Sequence, residues 1–473
     1  MGLERRIDLN YLIGLDIGTS SVKGVLLTTK GRVEKTVKEV FTYKKFENGG
    51  LELVPGEYLE ACMKALRKLA EAAVDGEIKG VCASSASGNL LVLDKEGRPS
   101  TGIIGWQDKR VTDEAREILG EMDLDAFYDQ IGWPFSYKTF PLAQLCYIKK
   151  HQPKVLEACG TVCMSTEYLY YALTGKWGIS TSAGTTFFLM DQKEGRYIDG
   201  LLDVLGIDES KLPPIMPCGT VLGGIKKEME EVCGIPAGTP VVLGSFDHPS
   251  AARGVGVLKE GEMLLSCGTS WVAFFPIASR DKGIRARMLV DPFLAPAGGC
   301  YGAMSSLSSL SGKIQRYVHR YIDDSAEAYQ KLSALCRESV SGANGLCISP
   351  LEEPDDERIL KYPKEDIARA IMEGTVGLLK DKLDMLAAKG ITAQSAVMVG
   401  GPSEDPMWIS LIEEICGISV RVIHGAFAGA VGAAVIAGVG IGEHQSEEDY
   451  SLLCNKSHIF NLDSKNQYSN FNK

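Results

Sequence analysis

The tripeptide Gly-Thr-Ser stands twice in this chain, each time between two apolar runs. The first copy, Gly18-Thr19-Ser20, follows Tyr11-Leu-Ile-Gly-Leu-Asp-Ile17 and leads into Ser21-Val22. The second, Gly268-Thr269-Ser270, follows Glu262-Met-Leu-Leu-Ser-Cys267 and leads into Trp271-Val272. Each reads as strand, tight turn, strand, with the glycine expected to take a backbone angle that other residues avoid. Hydroxyls and successive N–H groups in such turns can hold phosphate oxygens without a lysine. Two such hairpins, about half a chain apart, imply two similar domains closing on one nucleotide.

The chain has 473 residues, a length that favours two large domains over one. Its net charge of −11 argues against a nucleic-acid binder or an anionic-membrane binder, which would carry a basic face. A phosphate ligand stays open, because Mg²⁺ and backbone dipoles can supply positive field locally. The N-terminus lacks the apolar core of a signal peptide, and Phe427 to Val439 is too short and glycine-rich to span a bilayer. Thirteen cysteines are scattered, mostly inside apolar runs, without a Cys-x-x-Cys pair. Cys159 and Cys163 have no histidine at ligand spacing. Buried free thiols in a reducing cytoplasm are expected rather than zinc or disulfides.

Residues 11–17, 22–28 and 32–42 read as consecutive strands, followed by a helix over 56–73 and strands at 79–84 and 90–94. The middle third is helix-rich. The run Pro240–Phe246 ends in Asp247. The second half then repeats the order, with strands at 262–267 and 271–276, helices near 325–339 and 364–388, and a strand at 395–399. Pro406 opens a further helix and Gly417 ends it. Ala426 to Gly440 is packed with Ala and Gly, so close helix packing at a domain junction is expected. The expected division is 1–246, 247–442 and a polar tail, 443–473.

Short motifs fall in a fixed order along the chain. They are Gly14-Leu-Asp-Ile-Gly-Thr19, Trp106-Gln-Asp-Lys-Arg110, Thr174-Gly175, Ser182-Ala-Gly-Thr185, and Asp247 with Gly254-Val-Gly256. Ser266-Cys-Gly-Thr-Ser270, Glu373-Gly374, Gly400-Gly401 with Pro406 and Trp408, and Gly429-Ala-Val-Gly432 follow. Together they resemble the FGGY carbohydrate kinases from Tyr11 to about Gly440. The resemblance implies an α/β, two-domain, actin-like ATPase (ribonuclease H-like) fold. Each domain would be a mixed sheet flanked by helices, with the active site in the interdomain cleft.

Asp16 ends an apolar strand just before the first turn. A carboxylate there can hold Mg²⁺ through water or can simply cap the turn; the resemblance implies the metal role. It also implies phosphate contacts for Gly18, Thr19 and Ser20 and, in the second hairpin, for Gly268, Thr269 and Ser270. Gly400, Gly401 and Ser403 resemble the family's adenosine loop. Asp247 stands where the family places its catalytic base, which would take the proton of the attacking hydroxyl. It also stands where a helix N-cap would, and both can hold together. His248 is expected to make a polar contact in the cleft.

The acceptor patch is expected at Trp106, Asp108 and Arg110, with an aromatic face for sugar C–H groups and charged groups for hydroxyls. Arg110 can instead be a structural partner of Asp108. Ser84-Ser-Ala-Ser-Gly-Asn89 departs from the Arg-Glu of glycerol kinase relatives and the Met-His of xylulose kinase relatives. Ser87 and Asn89 could still hydrogen-bond a polyol. The segment near 349–363 is shorter than in many relatives. The expectation is an ATP- and Mg²⁺-dependent, cytoplasmic kinase of a ketose or polyol, compatible with a homodimer and needing neither nucleic acid nor membrane. The alternative is a catalytically weak sugar or nucleotide sensor on the same fold.

Overall fold

The computed structural model describes residues 9–74, 76–86, 88–423 and 425–450. They form two compact units. The first gathers the described residues up to Gly256, a short return at Val290–Gly299, and the described residues from Phe427 onward. The second is Val257–Leu289 with Cys300–Ala426. The helix expected at a domain junction, and counted with the second half by sequence, thus lies inside the first unit.

The first unit is built on a mixed sheet of β1 (Leu9–Ile17), β2 (Ser21–Thr28), β3 (Val33–Val40), β4 (Gly76–Ser85), β5 (Val221–Gly224) and β6 (Pro240–Phe246). Their order is β5-β6-β4-β1-β2-β3. The β1-β2-β3 meander is antiparallel, whereas β4 runs parallel to β1 and to β6. Side chains alternate across a strand. Ile13 and Leu15 therefore join the core under helix Pro55–Ala70, whereas Leu12 joins a second core with Ala430, Ala433 and Ala437. With both faces covered, β1 is apolar almost throughout, as a central strand should be.

The second cover is helix Ala428–Gly440, buried on every side from Ala428 to Gly438. Its small residues permit backbone-to-backbone approach. A Cβ on Gly14 of β1 would lie 1.9 Å from the Ala430 carbonyl oxygen, and one on Gly432 would lie 1.7 Å from that of Ser250. A Cβ on Gly254 would lie 2.0 Å from the Ala428 oxygen. Gly254 and Ser250 belong to helix Asp247–Gly254, so the two helices and β1 meet where no side chain fits.

The chain stays on this unit after that helix. The Tyr450 ring is fully buried, its hydroxyl donates to the Thr28 carbonyl at 2.9 Å, and Glu447 pairs with Arg253 at 2.7 Å. The stretch 443–450, expected as the start of a polar tail, is therefore a packed part of the first unit; 451–473 lie outside the described residues.

The second unit repeats the pattern with β7 (Gly261–Cys267), β8 (Trp271–Ile277), β9 (Tyr301–Leu307), β10 (Ala393–Gly400) and β11 (Ser419–Val422). They run in the order β9-β8-β7-β10-β11. Again β7-β8-β9 is antiparallel and β10 is parallel to β7 and β11. Helix Lys364–Ala387 covers the sheet with Ile367, Ile371, Val376 and Leu379. Helix Pro406–Cys416 opens on its proline, with Asp405 accepting the Met407 N–H, and closes on Gly417 in the left-handed region (φ 68°). Strand β9 and helix Leu310–Tyr321 escaped the sequence reading, because Ser305 to Ser311 masks the boundary between them.

Between β4 and β5 the first unit carries its helix-rich middle. Helix Glu114–Leu119 is tied to helix Phe140–His151 by the buried Glu114 carboxylate, which meets His151 Nε2 at 2.8 Å and accepts the Thr112 N–H at 2.7 Å. Burial alone would raise this carboxyl, but the His151 contact and N–H donors outweigh it and hold it at about 2. An ordinary glutamate titrates near about 4.3, so the folded state favours the ionised form. Its stabilising share is full above that value and is lost as pH falls toward 2.

Two predictions follow from this packing and pairing. Gly432→Ala should lower the unfolding free energy by about 1–3 kcal/mol or more through overpacking. Gly377→Ala, in a helix where an added Cβ meets nothing within 4 Å, should be neutral or stabilising. Denaturant titration of both variants checks the contrast, and equal effects would contradict it. Separately, Glu114→Gln should flatten the acid limb of stability between about pH 4.3 and 2, read by thermal melts across pH. An unchanged acid limb would remove the Glu114–His151 pair from the acid response.

Candidate active site

Strand register decides which side chains meet. Ile17, Ser85 and Phe246 end β1, β4 and β6 in one row, since Ile17 pairs with Ser85 and Phe246 pairs with Ser85. Asp16 precedes the first and Asp247 follows the last, so both carboxylates reach the same carboxyl-terminal edge of the sheet. That edge is where open α/β sheets place their ligands.

Asp16 sits opposite Lys23 of β2 and Ser84 of β4. It is raised to about 6, first by burial and then by the negative charge of Asp247; Lys23, His248 and the Ser84 hydroxyl pull the other way. A Cβ on Gly429 would lie 2.6 Å from its carboxyl carbon, so the buried helix forms the wall behind Asp16.

Asp247 is the first residue of its helix, with Phe246 at the cap position. Pro249, two residues on, has no N–H, and the carboxylate does not take that of Ser250 as an N-cap would. It accepts the N–H of His248 and meets His248 Nδ1, each at 2.8 Å. The cap alternative therefore gives way to a carboxylate held by its neighbour. Burial works against the charge of Asp247, but the His248 ring and the hydrogen bonds outweigh it and keep its pKa below the ordinary value. His248 is correspondingly raised: burial opposes its charge, and Asp247, with Asp16 behind it, favours it.

The first turn is closed by Gly18 N–H donating to the Ser21 carbonyl at 2.9 Å, with Thr19 and Ser20 exposed. Neither Gly18 nor Gly268 has positive φ. An added Cβ would meet nothing nearer than 3.7 Å at Gly18 or 3.8 Å at Gly268. The expectation of a special backbone angle is thus corrected. What glycine supplies at both turns is an uncovered peptide edge.

A small pocket opens beside the first turn. It is lined by Ile17, Gly18, Thr19, Phe41, Tyr43, Tyr58, Ala86, Asn89, Trp106 and Ser165. Trp106 is 39% exposed. Asn89 is buried and ties its own loop to the start of helix Ser165–Thr174, donating to the Ala86 carbonyl at 3.0 Å and accepting the Ser165 N–H at 2.7 Å. Ser87 lies outside the described residues. Asp108 and Arg110 do not line the pocket. The Asp108 carboxylate is fully buried, accepting the Leu51 N–H at 2.6 Å and pairing with Arg110 at 2.8 Å; Arg110 also reaches Glu52 at 2.7 Å. Of the three expected acceptor residues, Trp106 alone lines the pocket; the other two brace its loop. Phe41, Tyr43 and Tyr58 were missed, because aromatic residues near strands read as core.

In the second unit, Cys267 pairs with Gly400, so the second turn and the Gly400 loop share one sheet edge. Gly400 does require glycine: its φ is +101° and a Cβ would lie 2.4 Å from the Cys267 oxygen. Gly401 has open space around it. The Ser403 hydroxyl donates to the Gly400 carbonyl at 2.6 Å, which shapes the loop from within. The turn's carbonyls are taken by Ser311, whose hydroxyl bonds Gly268 at 2.6 Å and whose N–H bonds Thr269 at 3.2 Å. Ser270 Oγ accepts the Ser309 N–H at 3.0 Å, leaving Thr269 at the exposed tip.

Comparison with known proteins supplies the class. The model of the FGGY family of carbohydrate kinases matches in its N-terminal domain over residues 11–254 and in its C-terminal domain over 329–441. A xylulose kinase of Staphylococcus epidermidis is 22% identical over 446 residues, covering 91% of this chain and 88% of that one. An autoinducer-2 kinase of Salmonella paratyphi A is 25% identical over 477 residues, covering 92% and 86%. The crystal structure of xylulose kinase from Rhodospirillum rubrum superposes with a TM-score of 0.85 at 25% identity, covering 93% of this chain and 92% of that one. The chain belongs to the FGGY family of carbohydrate kinases. It is a phosphotransferase with an alcohol group as acceptor, and its two mixed α/β units have the actin-like ATPase fold. Among the described residues no helix is long and apolar enough to cross a membrane, and none of the described cysteines forms a disulfide.

The wall behind Asp16 can be tested without touching a charged group. Gly429→Ala should fold, because alanine favours a helix by about 1 kcal/mol over glycine. The new methyl must displace the Asp16 carboxylate, so turnover should fall on the order of 10²-fold. Steady-state kinetics beside a thermal melt reads both, and unchanged turnover in a folded variant would contradict the close contact.

Proposed function

We propose that this kinase transfers the γ-phosphate of ATP to a hydroxyl of a small, uncharged ketose or polyol, with Asp247 as the base. The observation that carries this reading is one sheet edge holding Asp16 and Asp247 beside a pocket with no charged side chain among its described lining residues. Aromatic walls suit sugar C–H faces, and Thr19, Asn89 and Ser165 offer polar partners to hydroxyls. The Arg110 guanidinium is committed to Asp108 and Glu52. A carboxylate or phosphate on the acceptor would be desolvated there without a counter-charge, at a cost of several kcal/mol.

Asp247 is ionised by its own surroundings and so is ready to accept the hydroxyl proton as the acceptor oxygen attacks. His248 fixes the carboxylate's direction through Nδ1. The raised Asp16, crowded by a second carboxylate, is the donor chemistry a divalent cation satisfies, and Mg²⁺ commonly binds through one or two carboxylates plus phosphate oxygens. When bound, Mg²⁺ neutralises charge on the transferring phosphoryl group. In the second unit Thr269 would contact nucleotide phosphates, and the Gly400–Gly401 loop would receive the adenosine.

A coupled ADP-release screen of ketoses, polyols, aldonates and sugar phosphates tests the acceptor class. Uncharged acceptors should turn over, whereas aldonates and sugar phosphates should not; preference for an anionic acceptor would overturn the neutral-pocket reading. On the best acceptor, Asp247→Asn should cut kcat by a factor on the order of 10²–10⁴ with the ATP KM little changed. Turnover within a few-fold of wild type, with the protein folded, would sink the base assignment.

A further inference from the structure

Ser182 belongs to the Ser182-Ala-Gly-Thr185 motif, to which the reaction assigns no role. Its side chain is buried at 1% exposure and does not line the pocket. Its hydroxyl donates to Asp291 Oδ2 at 2.7 Å and accepts the N–H of Phe246 at 3.3 Å. Phe246 is the residue immediately before Asp247.

The chain of contacts continues from there. Asp291 is completely buried, and its other oxygen accepts the Phe293 N–H at 2.8 Å. Phe293 has φ of +45°, an unusual value for a bulky residue, which a surrounding frame must impose. Its carbonyl accepts from Arg253 Nη2 at 3.0 Å, and the Arg253 guanidinium stacks 4.4 Å above its ring. Arg253 Nη1 reaches back to the Pro249 carbonyl at 3.3 Å, and Arg253 Nε is held by Glu447 at 2.7 Å.

The two ends of this chain grip Phe246 and Pro249, the residues that bracket Asp247 and His248. A side-chain contact adds to the grip: the Phe246 ring packs edge-on against Trp133, with centroids 5.4 Å apart. Filling the same space with apolar residues would avoid burying a carboxylate and a guanidinium, which are costly unless paired. Polar groups in such a place are explained when their bonds fix a geometry that apolar packing would leave loose.

We propose that Ser182 and Asp291 are positioning residues for Asp247: they fix the backbone on its two sides and so aim its carboxylate at the acceptor hydroxyl. This rests on the reading of Asp247 as the base. No proton passes along the chain of contacts; it acts through geometry alone. A displacement of about 1 Å at a reacting group can cost on the order of 10²-fold in rate.

The test is a double-mutant cycle with the full-length protein, ATP and the best acceptor from the screen. S182A should lower kcat by about tenfold or more while the ATP KM stays within about twofold. S182T, which keeps the hydroxyl, should recover most of that loss. In the D247N background S182A should add nothing, because the group it aims is gone. An S182A loss that persists in full in D247N, or a folded S182A with wild-type turnover, overturns the proposal. If S182A does not fold, D291N carries the same cycle, since its amide oxygen can still accept the Phe293 N–H. Near-wild-type turnover of D247N alone would sink the base assignment and this proposal together, whatever S182A does; D247N impaired with S182A unaffected sinks only this one.

Discussion

Backbone contact between helix Ala428–Gly440, strand β1 and helix Asp247–Gly254 is the constraint on which the candidate site depends. Helices normally pack some 8–10 Å apart, with side chains between them. Here Gly14, Gly254, Gly429 and Gly432 remove those side chains at the points of closest approach. The backbones that carry Asp16 and Asp247 are thereby fixed relative to one another by main-chain contact. The energetic consequence is asymmetric. Glycine in a helix costs up to about 1 kcal/mol of intrinsic stability, yet at Gly14, Gly254 and Gly432 any larger residue would push main chain apart.

Electrostatics builds on that geometry. Two carboxylates brought to one sheet edge repel, and their surroundings respond differently at each. Asp247 is kept ionised by the histidine next to it, whereas at Asp16 burial and a like charge outweigh Lys23, His248 and the Ser84 hydroxyl. The pair is divided into one carboxyl raised to about 6 and one held below its ordinary value. Such a division of neighbouring titratable groups is how a site assigns roles to chemically identical side chains.

Much of this was legible in the sequence where the signal is local. The paired Gly-Thr-Ser hairpins, the helix opened by Pro406 and the strand ending at Asp247 are set by neighbours in the chain, and the structure places them within a few residues of expectation. The motif order pointed to the family without help from the fold. What stayed hidden depends on residues far apart in sequence. Asp108 and Arg110 form a pair readable from their spacing, but the burial that withdraws them from the pocket comes from Leu51 and Glu52. Phe41, Tyr43 and Tyr58 look like core until Trp106 is laid beside them. Ser182 stands in a recognisable motif, yet its partner Asp291 is 109 residues away. The buried helix was recognised as a close packer, but the sequence could not say that it packs on β1.

The first unit is interrupted in sequence, and this bears on how the chain is made. A ribosome delivers β1 early and helix Ala428–Gly440 late, with the whole second unit synthesised between them. Until then one face of the first sheet, with Leu12, Val25 and Leu27, has no cover. The Tyr450–Thr28 hydrogen bond joins residues 422 positions apart, so a segment made late completes one made early. Domains that finish in order of synthesis are guarded early against aggregation. This one must wait for residues made after the second unit, and a nascent chain halted before Phe427 would carry both carboxylates of the candidate site on a sheet still open to water.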